Sequence, residues 1–286
     1  MTRILVTGAT GKVGRRLVPR LVRWAGAGRV RVLVRDPARA GDLAALGVDV
    51  VSGDLREAGD RARALDGASV VVNVAAAFRG VPEEEVWAVN RDAAVALGRE
   101  AAAAGVRRFV QASTTLVYGR GLGRPAVEED RLAPDPAWGV YPVSKAGAEA
   151  GLRELGGRLA LVVARLAFVY GEGDPHLADS LHWAGSWPAH QRLATVHHAD
   201  VSQALWRAAV TPGIAGRTYN VCDDAPLTAW DLHVLNGAVH PGAGAGAQPA
   251  EFDPWEGIGS TAAARRDLGW RPQYPSAWAA LEAGAL

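Results

Sequence analysis

Cysteine is almost absent from this sequence, and no apolar run in it is long. With Cys222 as its one cysteine, the chain cannot form an internal disulfide. The N-terminal MTRILVTGAT starts a strand pattern without the charged-then-apolar order of a signal segment. The longest apolar stretch, 159–170, is interrupted by Arg165 and falls short of the ~20 residues that span a bilayer. We therefore expect a cytoplasmic protein without a membrane partner.

An excess of charge is also lacking, and lysine is rare. The formal net charge of +1 gives no general attraction to nucleic acid or to an acidic membrane. Of 31 Lys and Arg residues, only Lys12 and Lys145 are lysine. A guanidinium and an ammonium differ in geometry, hydration and ease of deprotonation, so a retained lysine indicates a task that arginine does not serve. Lys145 in GVYPVSKAG, four residues after Tyr141, is the first candidate.

Short β-rich runs alternate with Ala- and Leu-rich helical segments through the first two thirds of the chain. Continuous apolar strands separated by helices are typical of a parallel sheet covered on both faces. The sequence therefore predicts an α/β fold, a Rossmann-type doubly wound parallel sheet with a small C-terminal substrate-binding lobe. The predicted strands lie at 3–7, 30–34, 48–52, 69–73, 107–113, 159–165 and 217–221.

The alternation loosens after residue 165, which suggests where the lobe begins. We expect the Rossmann dinucleotide-binding domain to span residues 1–165 and to continue at about 195–221. The small substrate-binding lobe is predicted at 166–194 and 222–286.

The stretch TGATGKVG directly follows the first predicted strand and precedes a helix that runs to about Trp24. Its three glycines permit a tight turn and let backbone amides approach a pyrophosphate, whose charge is favoured at a helix N-terminus. An ordinary strand-to-helix turn is the alternative, but the surrounding βαβ unit favours dinucleotide binding. The cofactor contacts predicted in this loop are Gly8, Thr10, Gly11, Lys12, Val13 and Gly14.

The end of the second strand decides between the two nicotinamide dinucleotides, because an acid there suits a ribose hydroxyl and an Arg suits a 2′-phosphate. Arg35 occupies that place in VLVRDPAR, with Arg39 and Lys12 as further charges, so NADP(H) is favoured. Asp36, one residue later, keeps NAD(H) possible. The strand-end residues predicted to border the rest of the cofactor are Asp54, Leu55, Ala75 and Ala76.

Tyr141 and Lys145 stand one helical turn apart on the same face if Pro142 lies in the first turn of a helix. A neighbouring ammonium favours the phenolate of a tyrosine, and an oxidised nicotinamide would add to this effect. The phenol then becomes a plausible proton donor and acceptor near neutral pH. A surface helix with a partly buried tyrosine is the ordinary alternative. The preceding strand, which ends in QASTTLVYG, would bring hydroxyls to the same sheet edge.

Taken together, these motifs resemble the extended short-chain dehydrogenase/reductase family, which includes the NAD-dependent epimerase/dehydratases. The resemblance extends through RLAFVYGEG, HHADV, TYNV and RRDLGW in family order. It implies that Thr114 is the catalytic hydroxyl, that Tyr141 is the acid/base, and that Lys145 binds the nicotinamide ribose and lowers the Tyr141 pKa. Tyr141 and Lys145 thus also count among the cofactor contacts. Ser113 is the alternative hydroxyl.

Three departures from the family pattern bear on the reaction. Thr115 and Leu116 replace the Asp-Glu pair of the nucleotide-sugar dehydratases. Phe168 replaces an Asn that is usual in nucleotide-sugar enzymes, and a phenyl ring cannot hydrogen-bond such a substrate. The Gly-x-Gly-x-Gln-Arg stretch that would contact a diphosphate is missing, although Arg192 remains. These departures indicate an apolar site.

We therefore expect an NADP(H)-dependent oxidoreductase, a ketone or aldehyde reductase or alcohol dehydrogenase, that acts on a hydrophobic small-molecule carbonyl or alcohol. A nucleotide-sugar epimerase or 4-ketoreductase is one alternative. A non-catalytic dinucleotide-binding redox sensor is another. The candidates for the substrate pocket are Trp138, Phe168, Trp183 and Trp187, each of which could instead be an ordinary core or surface aromatic.

Two further expectations concern metals and partner chains. Five of the seven histidines fall between residues 176 and 198 without HxxxH or HExxH spacing, so no metal site is predicted. The segments 91–104 and 142–155 are rich in Ala and Gly, which permits close helix packing. Members of the resembled family commonly pair these two helices across a dimer, so we expect a homodimer. The alternative is that the small residues only pack on the sheet.

Overall fold

The computed structural model describes residues 3–243 and 252–286. Its centre is a seven-stranded parallel sheet whose neighbouring strands are, in order, Asp49–Ser52, Val30–Val34, Ile4–Thr7, Val70–Asn73, Arg108–Thr114, Leu161–Leu166 and Thr218–Val221. The predicted α/β fold with a doubly wound sheet is confirmed, and each predicted strand is found within two residues of its expected ends. The strands are β1 (Ile4–Thr7), β2 (Val30–Val34), β3 (Asp49–Ser52), β4 (Val70–Asn73), β5 (Arg108–Thr114), β6 (Leu161–Leu166), β7 (Phe168–Tyr170), β8 (Arg192–Leu193), β9 (Thr195–His197), β10 (Thr218–Val221) and β11 (Leu227–Thr228).

Helices follow most strands, and a π-helical turn at Ala88–Ala93 joins two of them into one continuous stretch. No helix of the described residues has the length and apolarity to cross a membrane. The helices are α1 (Gly14–Ala25), α2 (Gly41–Ala45), α3 (Ala58–Leu65), α4 (Glu83–Trp87), α5 (Ala94–Ala103), α6 (Val140–Arg153), α7 (His176–Asp179), α8 (Leu181–Ala184), α9 (His198–Val210), α10 (Ala229–Leu235), α11 (Ala262–Leu268) and α12 (Ala277–Glu282).

The sheet is buried on both faces, which explains why its strands are apolar without alternation. Ile4 and Val6 of β1 join a core beneath α1 and α9, whereas Leu5 joins a second core beneath α3, α5 and α6. Successive side chains of a strand point to opposite faces, so one short strand supplies both cores. This double burial fixes the carboxyl ends of the strands at one edge.

The remaining elements form a smaller unit around Tyr170, in which β7 pairs with β9 and β8 with β11. One part of the predicted lobe packs elsewhere. Ile258, Leu268 and the fully buried Trp270 join the core beneath α1 and α9, and Trp270 Nε1 donates to the Asp200 carbonyl (3.0 Å). Residues 258–270 therefore differ from the predicted lobe in their packing, and residues 244–251 of that lobe lie outside the described part of the chain.

Candidate active site

The glycine loop between β1 and α1 is packed so closely that no side chain fits at Gly8 or Gly14. A Cβ on Gly8, whose φ is +69°, would lie 2.6 Å from the Ala75 Cα, and a Cβ on Gly14 would lie 2.2 Å from the Gly8 carbonyl oxygen. Helix α1 has no side-chain cap and no acid in its first turn. The amides of Arg15 and Arg16 donate to the Gly11 and Val13 carbonyls. The amides of Lys12, Val13 and Gly14 have no partner among the described residues and are available to an anion, so the loop fits the pyrophosphate of a dinucleotide.

The predicted cofactor residues at the strand ends line the same edge of the sheet. Arg35 follows β2 and its side chain is 62% exposed, with Nη1 3.2 Å from Glu85 Oε1. Asp54 follows β3, and a hydrogen bond from Arg56 holds the pKa of its carboxyl below the ordinary value. Leu55 is buried beside it, and Ala75 and Ala76 follow β4.

Lys12 points away from the glycine loop towards the segment after β7. Its Nζ lies 2.9 Å from Oδ1 of Asp174, whose side chain is 1% exposed. His198 Nε2 lies 2.9 Å from the other carboxylate oxygen of Asp174. Burial favours the neutral carboxyl, but the hydrogen bonds from His198 and Lys12 outweigh burial and hold the pKa of Asp174 far below its ordinary value. Lys12 thus joins the dinucleotide loop to the beginning of the smaller unit.

Tyr141 and Lys145 lie together at the start of α6, as their spacing predicts. Lys145 Nζ is 5.8 Å from the centre of the Tyr141 ring and donates to the Ala112 carbonyl of β5 (3.1 Å). Thr114 ends the same strand, and its Oγ1 accepts a hydrogen bond from the Leu116 amide (3.3 Å). Because that oxygen accepts from the backbone, its own hydrogen remains free to be donated.

Burial dominates the protonation of both residues of the pair. It raises the pKa of the half-buried Tyr141 to about 12. It lowers the pKa of Lys145 to about 8, against an opposing effect of the Glu149 carboxylate. The family resemblance implies that Lys145 lowers the pKa of Tyr141. In this chain burial raises that pKa instead. Near neutral pH Tyr141 is a phenol, ready to donate a proton.

Asn90 holds the start of α6 in place, and the sequence motifs gave it no role. Its side-chain amide accepts from the Ala77 amide (2.8 Å), donates to the Ala77 carbonyl (2.9 Å), and donates to Ser144 Oγ (3.1 Å). Ser144 Oγ in turn donates to the Tyr141 carbonyl (2.7 Å). Asn90 lies in the π-helical turn, which is frequently a feature of functional sites. The sequence signal that could have pointed to this role is a polar residue within an Ala-rich helical segment.

A buried polar network lies behind the pair. Glu149 accepts from Ser113 Oγ (2.6 Å) and from Arg165 through Nε (3.1 Å) and Nη2 (2.8 Å). Arg165 also donates to the Tyr118 hydroxyl (2.6 Å). Ser113, the alternative catalytic hydroxyl, is thereby committed to Glu149, on the opposite side of β5 from Thr114.

A row of contacting rings extends from Tyr141 into the smaller unit. We define this aromatic row as Tyr141, Phe78, His176, Phe168, Trp183 and Trp187. Consecutive ring centres are 4.5, 6.4, 4.0, 5.9 and 4.6 Å apart. Of the four predicted pocket residues, Phe168, Trp183 and Trp187 belong to the row. Trp138 has no ring partner among the described residues, and the sequence did not single out Phe78 or His176.

Comparison with known protein families agrees with this geometry. The family model described as "NAD dependent epimerase/dehydratase family" matches residues 4–222. The chain therefore belongs to this family, within the extended short-chain dehydrogenase/reductases, and is an NAD(P)-dependent oxidoreductase of that type.

Two similar curated proteins carry the names of reductases. A 4-hydroxy-2-methyl-3-oxo-4-farnesyl-3,4-dihydroquinoline-1-oxide ketoreductase from Stigmatella aurantiaca is 29% identical over 79% of this chain and 69% of that protein. A ceramide reductase from Caulobacter vibrioides is 31% identical over 73% of this chain and 61% of that protein.

A solved structure extends the comparison to a nucleotide-sugar enzyme. DesIV, a dTDP-glucose 4,6-dehydratase from Streptomyces venezuelae with NAD bound, superposes with a TM-score of 0.78. It is 25% identical, and the match covers 98% of this chain and 95% of DesIV. The cofactor of this chain is accordingly a nicotinamide dinucleotide.

Proposed function

We propose that this enzyme transfers hydride reversibly between a nicotinamide dinucleotide and a hydrophobic ketone or aldehyde. The observation that carries the proposal is the aromatic row, which begins on the ring of Tyr141 and continues to Trp187. Aromatic rings supply a large apolar contact area, which suits a bulky apolar substrate. The sheet domain would hold the dinucleotide and the smaller unit the substrate.

The residues of the site divide the work of reduction between them. When bound, the cofactor supplies the hydride that goes to the carbonyl carbon. Tyr141, protonated because burial raises its pKa to about 12, donates its proton to the carbonyl oxygen. Thr114 hydrogen-bonds the same oxygen through its free hydroxyl hydrogen. Lys145, fixed by the Ala112 carbonyl, keeps a positive charge beside the phenol as the proton leaves.

The aromatic row also argues against a nucleotide-sugar substrate. Phe168 lies between the rings of His176 and Trp183, where it presents carbon rather than hydrogen-bonding groups. Arg192 donates to the Pro254 carbonyl and lies over the Trp255 ring at 4.6 Å. These contacts use Nε and Nη2 and leave Nη1 without a partner among the described residues. Phe168, and not Arg192, therefore tells against a diphosphate.

The names of the two reductases support the same substrate class. One name describes a 3-oxo compound that carries a farnesyl chain, and the other enzyme reduces a ceramide. The structural likeness to DesIV favours a nucleotide-sugar epimerase or 4-ketoreductase as the second candidate. A redox sensor without catalysis has less support, since Thr114, Tyr141 and Lys145 are all present.

NADP(H) is the proposed cofactor because of what Arg35 and Asp36 do after β2. The Asp36 carboxylate accepts from the Ala38 amide (3.0 Å) and is engaged in this turn. The Arg35 side chain is exposed, and among the described residues its ion-pair partner is Glu85. A 2′-phosphate could displace Glu85, because an exposed ion pair contributes little.

A homodimer through α5 and α6 remains a proposal. An open groove of about 350 Å³ runs between the two helices, and two glycines of α6, Gly147 and Gly151, lie in its floor. Small residues there would let a second pair of helices approach closely. The groove is lined by Arg91, Asp92, Val95, Ala96, Arg99, Gly147 and Gly151. Sedimentation showing a monomer at micromolar concentration would refute the dimer.

The cytoplasmic location stays a prediction from the sequence.

Thermal unfolding with single ligands tests the proposed function. A ligand that binds only the folded state raises the melting temperature by mass action. We expect NADPH to raise it most, NADH less, and UDP or dTDP not at all. A clear shift with UDP or dTDP would overturn the argument from Phe168 and would favour the nucleotide-sugar alternative.

A further inference from the structure

His176 is the imidazole in the middle of the aromatic row. Its ring is stacked on Phe168 with centres 4.0 Å apart and planes 24° apart, and it meets Phe78 edge-on at 6.4 Å. Phe78 itself contacts Tyr141. One aromatic ring therefore separates His176 from the proposed proton donor.

The hydrogen bonding of His176 fixes its tautomer. Nδ1 lies 3.0 Å from the Val169 carbonyl, which can only accept, so Nδ1 carries the hydrogen. Burial lowers the pKa of the ring despite this hydrogen bond, and the charges of Lys12 and Arg79 act in the same direction as burial, against Asp174. The ring is therefore neutral near pH 7, and Nε2 keeps its lone pair.

Nε2 of His176 is free to accept a hydrogen bond. No described residue bonds to it, although Nδ1 of the same ring is occupied. Trp183 Nε1 is among the buried side-chain atoms of the described residues that lack a partner, and His176 Nε2 is not. The ring is half-buried and Nε2 has no partner among the described residues, so this nitrogen is available to a hydrogen-bond donor of a ligand beside the aromatic row.

The backbone of His176 is fixed relative to the dinucleotide loop. Asp174 Oδ1 accepts from the His176 amide (3.2 Å) and lies 2.9 Å from Lys12 Nζ. The other oxygen of Asp174 is held by His198. The imidazole thus has a defined place with respect to both the cofactor loop and Tyr141.

We propose that His176 determines specificity by accepting, at Nε2, a hydrogen bond from a hydroxyl or N–H group next to the substrate carbonyl. This rests on the proposed function, and it narrows the substrate class. The enzyme prefers hydrophobic α-hydroxyketones or α-amidoketones over the same ketones without a donor. A hydrogen bond that the hydroxyketone makes with Nε2 and the plain ketone cannot make favours the hydroxyketone by about tenfold in affinity.

Benzoin and deoxybenzoin form a matched pair of probes, because they differ only in the hydroxyl next to the ketone. Calorimetry measures their binding to the protein saturated with whichever of NADP⁺ and NAD⁺ raises the melting temperature more. We expect wild-type protein to bind benzoin about tenfold more tightly, which is the size of one hydrogen bond. His176→Phe keeps a ring on Phe168 and should bind the two ketones equally. His182→Phe, an exposed histidine of α8, should keep the preference.

Equal binding of the two ketones to wild-type protein, or binding of neither, overturns the proposal. Because the comparison of the two ketones on wild-type protein needs no variant, it tests the proposal even if His176→Phe fails to fold. A preference that survives in folded His176→Phe also overturns it. Turnover is measured separately, as NADPH consumed with deoxybenzoin. A preference for benzoin without any turnover contradicts the proposed function and leaves the role of His176 standing.

Discussion

Tyr141 lies between two regions of opposite character. On one side Lys145, Ser144 and Asn90 form short, directional hydrogen bonds to backbone carbonyls and to one another. On the other side Phe78 begins a row of rings that contact one another without such bonds. Hydrogen bonds fix positions closely, whereas ring packing tolerates variation in shape. We therefore propose that the polar side carries the chemistry and that the aromatic side selects the substrate.

Tyr141→Phe removes the proton donor and keeps the ring, so it is the sharpest test of the polar side. We expect kcat/KM for ketone reduction to fall about 10²- to 10⁴-fold, the usual contribution of general acid catalysis. The melting temperature should change little, because the ring still contacts Phe78. Tyr274→Phe removes a hydroxyl outside the site and serves as the control. A Tyr141→Phe enzyme with wild-type activity would show that the proton comes from elsewhere.

Glu149→Gln tests whether the polar side depends on its buried network. The change leaves the guanidinium of Arg165, which is 2% exposed, without its carboxylate. Breaking a buried ion pair in this way costs about 3 kcal/mol or more of unfolding free energy. Urea denaturation measures the loss of unfolding free energy. Glu154→Gln, which changes an exposed glutamate, is the control. A loss no larger than that of the control would mean that Arg165 finds another partner.

Phe168→Ala tests the aromatic side. Removing this ring should raise KM for a hydrophobic ketone about tenfold and change kcat much less. The reason is that the ring should bind the substrate and the transition state equally well, so its loss weakens both by the same amount. Steady-state kinetics separates the two parameters, with Trp138→Ala as the comparison outside the row. A fall in kcat with unchanged KM would place Phe168 with the chemistry instead.

Asp223 is a buried carboxyl beside β9, and its protonation can be tested through stability. Burial raises the pKa of its carboxyl to about 7, with the charge of Asp200 adding to the rise, while Thr195 Oγ1 donates to it (3.0 Å). The folded protein keeps this proton after the unfolded chain has lost it at about pH 4. Stability therefore falls as pH rises between these two values.

Asp223→Asn should remove that slope. A rise of about three pKa units corresponds to about 4 kcal/mol, so we expect the variant to be more stable than the wild type at pH 8 by up to that amount, and to melt several degrees higher. Thermal unfolding from pH 5 to pH 8 measures it. An unchanged slope would show that Asp223 is ionised in the folded protein.

The sequence predicted the sheet and the polar side better than the aromatic side, for physical reasons. Strands buried on both faces are apolar throughout, and the glycine loop and the Tyr-Lys spacing are local patterns. The ring contact of Phe78 with His176 joins residues far apart in the chain, and α7 and α8, with four residues each, are too short to show a helical period. Asn90 could be given no role from the sequence because its partners, Ala77 and Ser144, meet it only in the fold.

The most direct test gives the wild-type enzyme two substrates in parallel, deoxybenzoin with NADPH and UDP-glucose with NAD⁺. We predict that deoxybenzoin is reduced, that added UDP does not inhibit the reduction, and that UDP-glucose stays unchanged. Conversion of UDP-glucose without any reduction of the ketone would contradict the assignment of the aromatic row to a hydrophobic carbonyl substrate.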